Sequence, residues 1–377
     1  MKLLYITSLS GRRLNGFMRS AILAAQQLNI DFTMACNTDG ADVEGYAADC
    51  VQYGINLVHI DFARQPLSMQ NRKAYQQLIA LMEKEEFDAV HCNTPVGGLL
   101  GRLCAKKAKI PYVIYQAHGF HFWKGAPLKN WMLYYPVERL LARYTDLLIT
   151  INQEDNLRAQ KLRLKKRGEQ TLVHGVGVDA EKVEKATANK KEKRAQFGIP
   201  EDATVFVTAG ELNENKNQET AIKAFADAGL SNAYFIICGD GENQERLKQL
   251  VKQRGMEDRV ILAGFRRDVF EILKVSDIFV LPSFREGLPG ALMEAMSAGL
   301  SCMASRIRGN VDLLGEDYPY LFAADDSWDL CEKMQKIIGE CTQWGDYCKE
   351  RIKPYTLPVV VEELKKIYRG IPGYNNR

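Results

Sequence analysis

Short runs of aliphatic and β-branched residues alternate with longer amphipathic runs along the first half of the chain. The stretches 3-LLYIT-7, 32-FTMAC-36, 88-DAVHC-92, 111-PYVIY-115 and 146-DLLIT-150 read as strands. Residues 17–28, 71–85, 96–108 and 131–144 carry apolar positions at helical spacing. This alternation predicts a parallel sheet with helices on both faces. The rhythm then restarts. An Ala/Lys-rich stretch, 180–197, reads as one helix ending at Gly198 and Pro200, and strands are expected at 204–210, 234–239, 259–264, 277–282 and 301–305. The last amphipathic run, 358–370, must bury its apolar face, and packing back on the N-terminal domain would do so. The pattern therefore predicts two doubly wound α/β domains, residues 1–178 with 357–377 and residues 179–356. Ligands of open α/β sheets bind outside the carboxyl ends of the strands, so functional residues should follow strands.

Composition narrows the class. A chain of 377 residues suits two domains. The nine cysteines are odd in number and form no Cys-x-x-Cys pair, which argues against a zinc site or a disulfide framework. The apolar start is too short for a signal-peptide core, and no run reaches the roughly 18–20 residues of a membrane span. A cytoplasmic protein is expected. The net charge of +3 is uneven: residues 1–175 hold 22 Lys and Arg against 15 Asp and Glu, and the remainder hold 28 against 32. The basic half would favour an anionic partner.

The stretch 283-SFREGLPGALMEAMSAG-299 carries the densest candidate chemistry. It follows a strand and opens a helix near Pro289, where the missing proline N–H is not needed. The free N–H groups after it, on Gly290 and Ala291, make an anion site. Glu286 and Glu294 flank that site. A carboxylate would repel a phosphate but can accept hydrogen bonds from a vicinal diol, so both should meet sugar hydroxyls.

Glu286 and Glu294 in Glu-x7-Glu spacing resemble the signature of the retaining glycosyltransferase family 4. Further matches are 174-HGVGVD-179, 208-TAGELNENKNQE-219, 239-GDGE-242, 264-GFRRDV-269 and 276-SDIFVLPS-283, and 117-AHGFHFWKGAP-127 is similar to bacterial exopolysaccharide and capsule glycosyltransferases. The resemblance implies a GT-B fold, two Rossmann-like domains facing across a cleft, with an N-terminal acceptor domain and a C-terminal nucleotide-sugar donor domain. It implies catalytic roles for His118, Lys216 and Glu286: a histidine near the reacting centre, a cation on the donor diphosphate, and a contact to the donor sugar. It assigns the donor to Gly16, Glu211, Arg266, Gly287, Leu288, Pro289, Gly290 and Glu294, with Glu294 on the ribose. No cofactor and no metal are required. His118 and His121 lack a neighbouring carboxylate or thiolate in sequence, and Asp240-Gly241-Glu242 reads as a turn.

This chain departs from the pattern in three places. Where relatives carry a phosphate-gripping arginine stands Glu211, so Lys216 would need help from Arg266, Arg285 or Arg12. The glycine pair before the first helix is Asn15-Gly16, and the second glycine of the usual Glu-Gly-x-Gly loop is Pro289. The implied activity is metal-independent, retaining transfer of a sugar from a nucleotide-diphosphate donor, with UDP expected, to a lipid-diphosphate-linked or growing cell-surface polysaccharide. The alternatives are a GT-B UDP-sugar epimerase, whose product needs no acceptor, and a non-catalytic nucleotide-sugar-binding subunit. The aromatic, lysine-bearing loop 120–135, with 157–167 and the basic cluster from Arg102 to Lys109, suggests peripheral binding to the anionic inner face of the membrane. No nucleic-acid recognition motif appears.

Overall fold

The computed structural model describes residues 1–8, 14, 16–63, 65–66 and 68–374. The chain forms two compact units, Met1–Gly177 with Leu357–Arg377, and Val178–Thr356. The first holds strands β1 (Lys2–Ile6), β2 (Asp31–Cys36), β3 (Asn56–His59), β4 (Ala89–Asn93), β5 (Tyr112–Ala117), β6 (Leu147–Thr150) and β7 (Glu169–Leu172). Its helices are α1 (Gly16–Gln27), α2 (Val43–Tyr53), α3 (Gln70–Lys84), α4 (Pro95–Lys107), α5 (Leu128–Ala142) and α6 (Gln153–Ala159). All strands pair in parallel, in the order β3-β2-β1-β4-β5-β6-β7. Strands β1 and β4 are buried on both faces, which is why they read as nearly continuous apolar runs.

The second unit holds α7 (Ala180–Lys185), α8 (Lys190–Ala195), β8 (Thr204–Ala209), α9 (Gln218–Asp227), β9 (Ala233–Cys238), α10 (Gln244–Gln253), β10 (Val260–Gly264) and α11 (Val269–Val275). It continues through β11 (Ile278–Leu281), α12 (Gly290–Ala298), β12 (Ser301–Ser305), α13 (Asn310–Leu314), β13 (Leu321–Phe322), α14 (Ser327–Ile337) and α15 (Cys341–Ile352). Its sheet is parallel, in the order β10-β9-β8-β11-β12-β13. Both units are therefore Rossmann-like. The strand order reverses between β1 and β4 in one and between β8 and β11 in the other, and loops leaving these neighbours open a crevice.

The stretch 180–197 is not one helix. It breaks after Lys185, and α8 restarts under an Asn189 cap whose side chain accepts a hydrogen bond from the Glu192 N–H at 3.3 Å. Asn189 competes for backbone donors and so ends one helix and begins the next.

The C-terminal helix α16 (Leu357–Arg369) buries Val360, Val361, Leu364 and Tyr368 in the same cluster as Met18, Ile22 and Tyr5 of the first unit. A polar chain locks it in place. The Tyr368 hydroxyl lies 2.9 Å from His91 Nδ1, and His91 Nε2 lies 3.1 Å from Gln116 Oε1. Burial pushes His91 down to about 3, so the ring is neutral, donates to Gln116 and accepts from Tyr368. Tyr368→Phe should destabilise the protein by about 1–3 kcal/mol, because a buried acceptor loses its donor. Calorimetry should show a fall in Tm of several degrees, and an unchanged Tm would remove this bond from the account. Among the described residues no helix is long and apolar enough to cross a membrane.

Candidate functional site

The second unit's switch point brings together two loops far apart in sequence. The loop after β8 is pinned by Asn217, held at φ 53°, whose Nδ2 donates to the carbonyls of Pro282 (3.0 Å) and Ala324 (2.8 Å). Asn215 exchanges bonds with the other loop: its carbonyl accepts from the Phe284 N–H at 2.8 Å, and its Nδ2 donates to the Arg285 carbonyl at 3.0 Å. This lacing delivers Lys216 Nζ to 2.7 Å from Glu286 Oε1, with the side chains only 23% and 12% exposed. Asn213 Oδ1 fixes the turn by accepting from the Lys216 N–H at 3.0 Å.

Helix α12 begins beside this pair. Pro289 is buried and extended, so it caps the helix from outside and Gly290 is the first helical residue. The earliest intrahelical bond is Met293 N–H to the Pro289 carbonyl, 3.2 Å. The N–H groups of Gly290, Ala291 and Leu292 therefore have no acceptor within the helix, and its first turn carries no acidic residue. Glu294 lies one turn further in. Burial pushes it up to about 7 against the pull of Lys182.

A third loop, missed in the sequence, completes the site. Gly309, after β12, has φ +78°, and a Cβ there would strike the Gly287 carbonyl. Only glycine permits this approach. It carries Arg308, whose Nε lies 3.4 Å from the Glu286 carbonyl oxygen. The triplet Arg308-Gly309-Asn310 was the available signal, since it lies three residues past the end of a strand. Phe284, after β11, and Phe265, after β10, are exposed aromatics on the carboxyl ends of this sheet.

Other expected residues behave differently. Glu211 is exposed, and its carboxylate makes no hydrogen bond or ion pair among the described residues. Arg266 forks onto Asp268 at 2.8 and 2.6 Å. With Lys193 it holds Asp268 well below the usual carboxylate range. A Cβ at Gly16 would meet nothing within 4 Å, so packing does not demand glycine there. Arg12 and Asn15 lie outside the described residues. Among the described residues no group of three or more His, Cys, Asp or Glu is placed to hold a metal ion.

In the first unit, His118 follows β5. Its Nε2–H donates to Asn93 Oδ1 at 2.9 Å, and the Phe17 ring lies 4.1 Å from its own. Burial, reinforced by His91, pushes His118 down to about 3, so it is a neutral hydrogen-bonding group at physiological pH. It lines a pocket of about 160 Å³ with Phe17, Thr94, His121, Tyr134 and Glu138. Phe120 and Phe122 are buried core residues, not surface aromatics. Arg102 is equally buried and pairs with Glu138 at 2.9 Å, so it does not belong to the surface charge.

Two Rossmann-like units, of seven and six parallel strands, are the architecture of the GT-B class of sugar-transferring enzymes. Comparison with known proteins agrees. The family models "Glycosyl transferase 4-like" and "Glycosyl transferases group 1" match residues 2–152 and 189–351. The putative glycosyltransferase EpsD of Bacillus subtilis is 35% identical over 318 residues, covering 82% of this chain and 83% of that one. A UDP-Gal:alpha-D-GlcNAc-diphosphoundecaprenol alpha-1,3-galactosyltransferase of Escherichia coli is 33% identical over 312 residues, covering 80% of each. The structure of Anabaena Alr3699/HepE in complex with UDP superimposes with a TM-score of 0.76 at 18% identity, over 98% of this chain and 99% of that one. At that identity the likeness shows the fold alone. The chain belongs to glycosyltransferase family 4 and is a GT-B glycosyltransferase.

Proposed function

We propose that this enzyme transfers a sugar from a UDP-sugar, with retention of configuration and without a metal, to a lipid-diphosphate-linked or growing cell-surface polysaccharide acceptor. The observation that carries this reading is the Lys216–Glu286 pair beside the open N-terminus of α12. A donor diphosphate would compete with Glu286 for Lys216 and receive the free N–H groups of Gly290 and Ala291. As the sugar–oxygen bond breaks, charge grows on the leaving phosphate, where preorganised donors have their greatest effect. Glu286, released from the lysine, accepts hydrogen bonds from the sugar, and Glu294 accepts them from the ribose. Gly287 and Leu288 supply backbone between these points. In the first unit, His118 offers a neutral ring to a sugar hydroxyl. It does not act as an imidazolium general acid at physiological pH, because burial keeps the ring neutral, with its one N–H on Asn93.

The cation that Glu211 cannot supply comes from Arg308. Its guanidinium Nε already lies 3.4 Å from the carbonyl of Glu286, on the loop that opens α12. Arg308→Ala should raise the UDP dissociation constant about tenfold or more, the loss of one charge-assisted contact. Titration calorimetry measures this, and unchanged affinity would return the role to Arg266 or Arg285.

Support for the donor and acceptor classes comes from the relatives, one of which is named for UDP-Gal and a diphosphoundecaprenol-linked sugar. The deciding experiment incubates purified enzyme with UDP-galactose, UDP-glucose or UDP-N-acetylglucosamine and a polyprenyl-diphosphate sugar. UDP release that depends on acceptor, with an α-linked product by NMR, is expected. A β-linked product would refute retention. A new sugar nucleotide formed without acceptor would make the protein an epimerase.

A further inference from the structure

Helix α5 is apolar on both sides. Its inner face packs Trp131, Tyr134 and Tyr135 against the core, buries Leu141, and places Glu138 on Arg102. Its outer face exposes Leu128, Met132, Leu133, Val137 and Leu140, each between 39% and 74% accessible. Positions 128, 132, 136 and 140 recur every four residues, as do 133 and 137, so these side chains form one stripe along the helix. A helix that is hydrophobic all round is normally covered on every side. No other helix among the described residues presents so many exposed large apolar side chains.

The charge beside the stripe selects the cover. Lys129, Arg139 and Arg143 are exposed, while Glu138, the helix's one acidic residue, is only 13% accessible and faces Arg102. Arg139 and Arg143 are one turn apart and line a groove of about 200 Å³ with Tyr135, Pro136 and Leu140. Two guanidinium groups over an apolar groove suit a lipid phosphate with its acyl chain beneath. A two-fold dimer through this face would set the cationic stripe against its own copy, which like charge opposes.

We infer that the outer face of α5 is the surface by which this enzyme docks on an anionic lipid bilayer, with Arg139 and Arg143 on lipid phosphate and the leucine–methionine stripe in the interface. The inference rests on the lipid-linked acceptor reading and names the surface that would meet it. Phe120 and Phe122 of the preceding loop are not part of the anchor, because they lie in the core.

The test is co-sedimentation of the full chain with vesicles of phosphatidylcholine, with and without 30% phosphatidylglycerol. Three proteins are compared: wild type, Met132→Gln/Leu133→Gln/Val137→Gln, and Arg139→Gln/Arg143→Gln. Wild type should bind the anionic vesicles. The apolar variant should partition at least tenfold less at any salt. The arginine variant should lose at least fivefold at low salt and differ little from wild type at high salt. Both variants should keep wild-type Tm and UDP affinity, which separates docking from folding. Three results would overturn the inference: no binding by wild type, binding by the apolar variant equal to wild type, or a wild-type dimer in sedimentation equilibrium that the apolar variant abolishes. Failure of wild type to bind UDP would instead refute the transferase reading, independently of the vesicles.

Discussion

Lys216→Ala should lower turnover by a factor of about 10²–10³, the usual cost of removing one donor aimed at developing charge. The geometry makes the effect double. Lys216 is proposed to hold the donor diphosphate, and it is also the 2.7 Å partner of Glu286, whose side chain is 12% exposed. Removing the lysine leaves a half-buried carboxylate without its counter-charge, a stability loss of about 1–3 kcal/mol. The two effects can be separated. Lys216→Ala/Glu286→Gln removes the stranded charge, so Tm should recover while turnover stays low. Steady-state rates and calorimetry on wild type, both single variants and the double variant close the cycle. A rate within threefold of wild type for Lys216→Ala would end the proposed role of this residue.

Glu294→Gln should stabilise the free enzyme and weaken nucleotide binding. The folded state holds Glu294 at about 7, against an ordinary value of 4.5. Between those values the folded state binds the proton and the unfolded state releases it. Stability therefore falls as pH rises from about 4.5 through 7, and then levels. The shift corresponds to about 3 kcal/mol. Glutamine does not titrate, so the variant should melt several degrees above wild type at pH 8 and close to it at pH 4.5. Binding should move the other way. Ribose hydroxyls donate to the ionised carboxylate, so UDP should release a proton near pH 7, and the calorimetric enthalpy should depend on the buffer. The variant should lose that dependence and bind about tenfold or more weakly. Equal melting of both proteins at pH 8 would show that burial does not strain this group.

Much of the fold was legible because most of its strands are buried and its helices are amphipathic. The central strands read as apolar runs, and their spacing was enough to place two parallel sheets. Strands β3 and β7 escaped notice because they are edge strands, and 56-NLVH-59 and 169-EQTL-172 are partly exposed and show no clean alternation. The break at Asn189 was hidden by good helix formers on both sides, since a single capping side chain decided it. Within the candidate site, the Glu-x7-Glu spacing lies on one local segment and could be read directly. Arg308 could not, because its approach depends on Gly309 meeting a carbonyl from another loop.

The sequence by itself determined the alternation of strands and helices, a helix that opens near Pro289, and the residue types that crowd the strand ends. Those are local properties, set by periodicity and by free N–H groups. The tertiary structure alone decided what those residues meet. Lys216 and Glu286 stand 70 positions apart and form a pair only because β8 and β11 are neighbours at the reversal of strand order. His118 and Glu294 are ordinary titratable residues in the sequence, and burial moves one far below neutrality and the other up to it. Which side of α5 faces the core, and which is left apolar and uncovered, was equally undecided along the chain. Charge, burial and neighbourhood are properties of the packed molecule, because they depend on what lies across space.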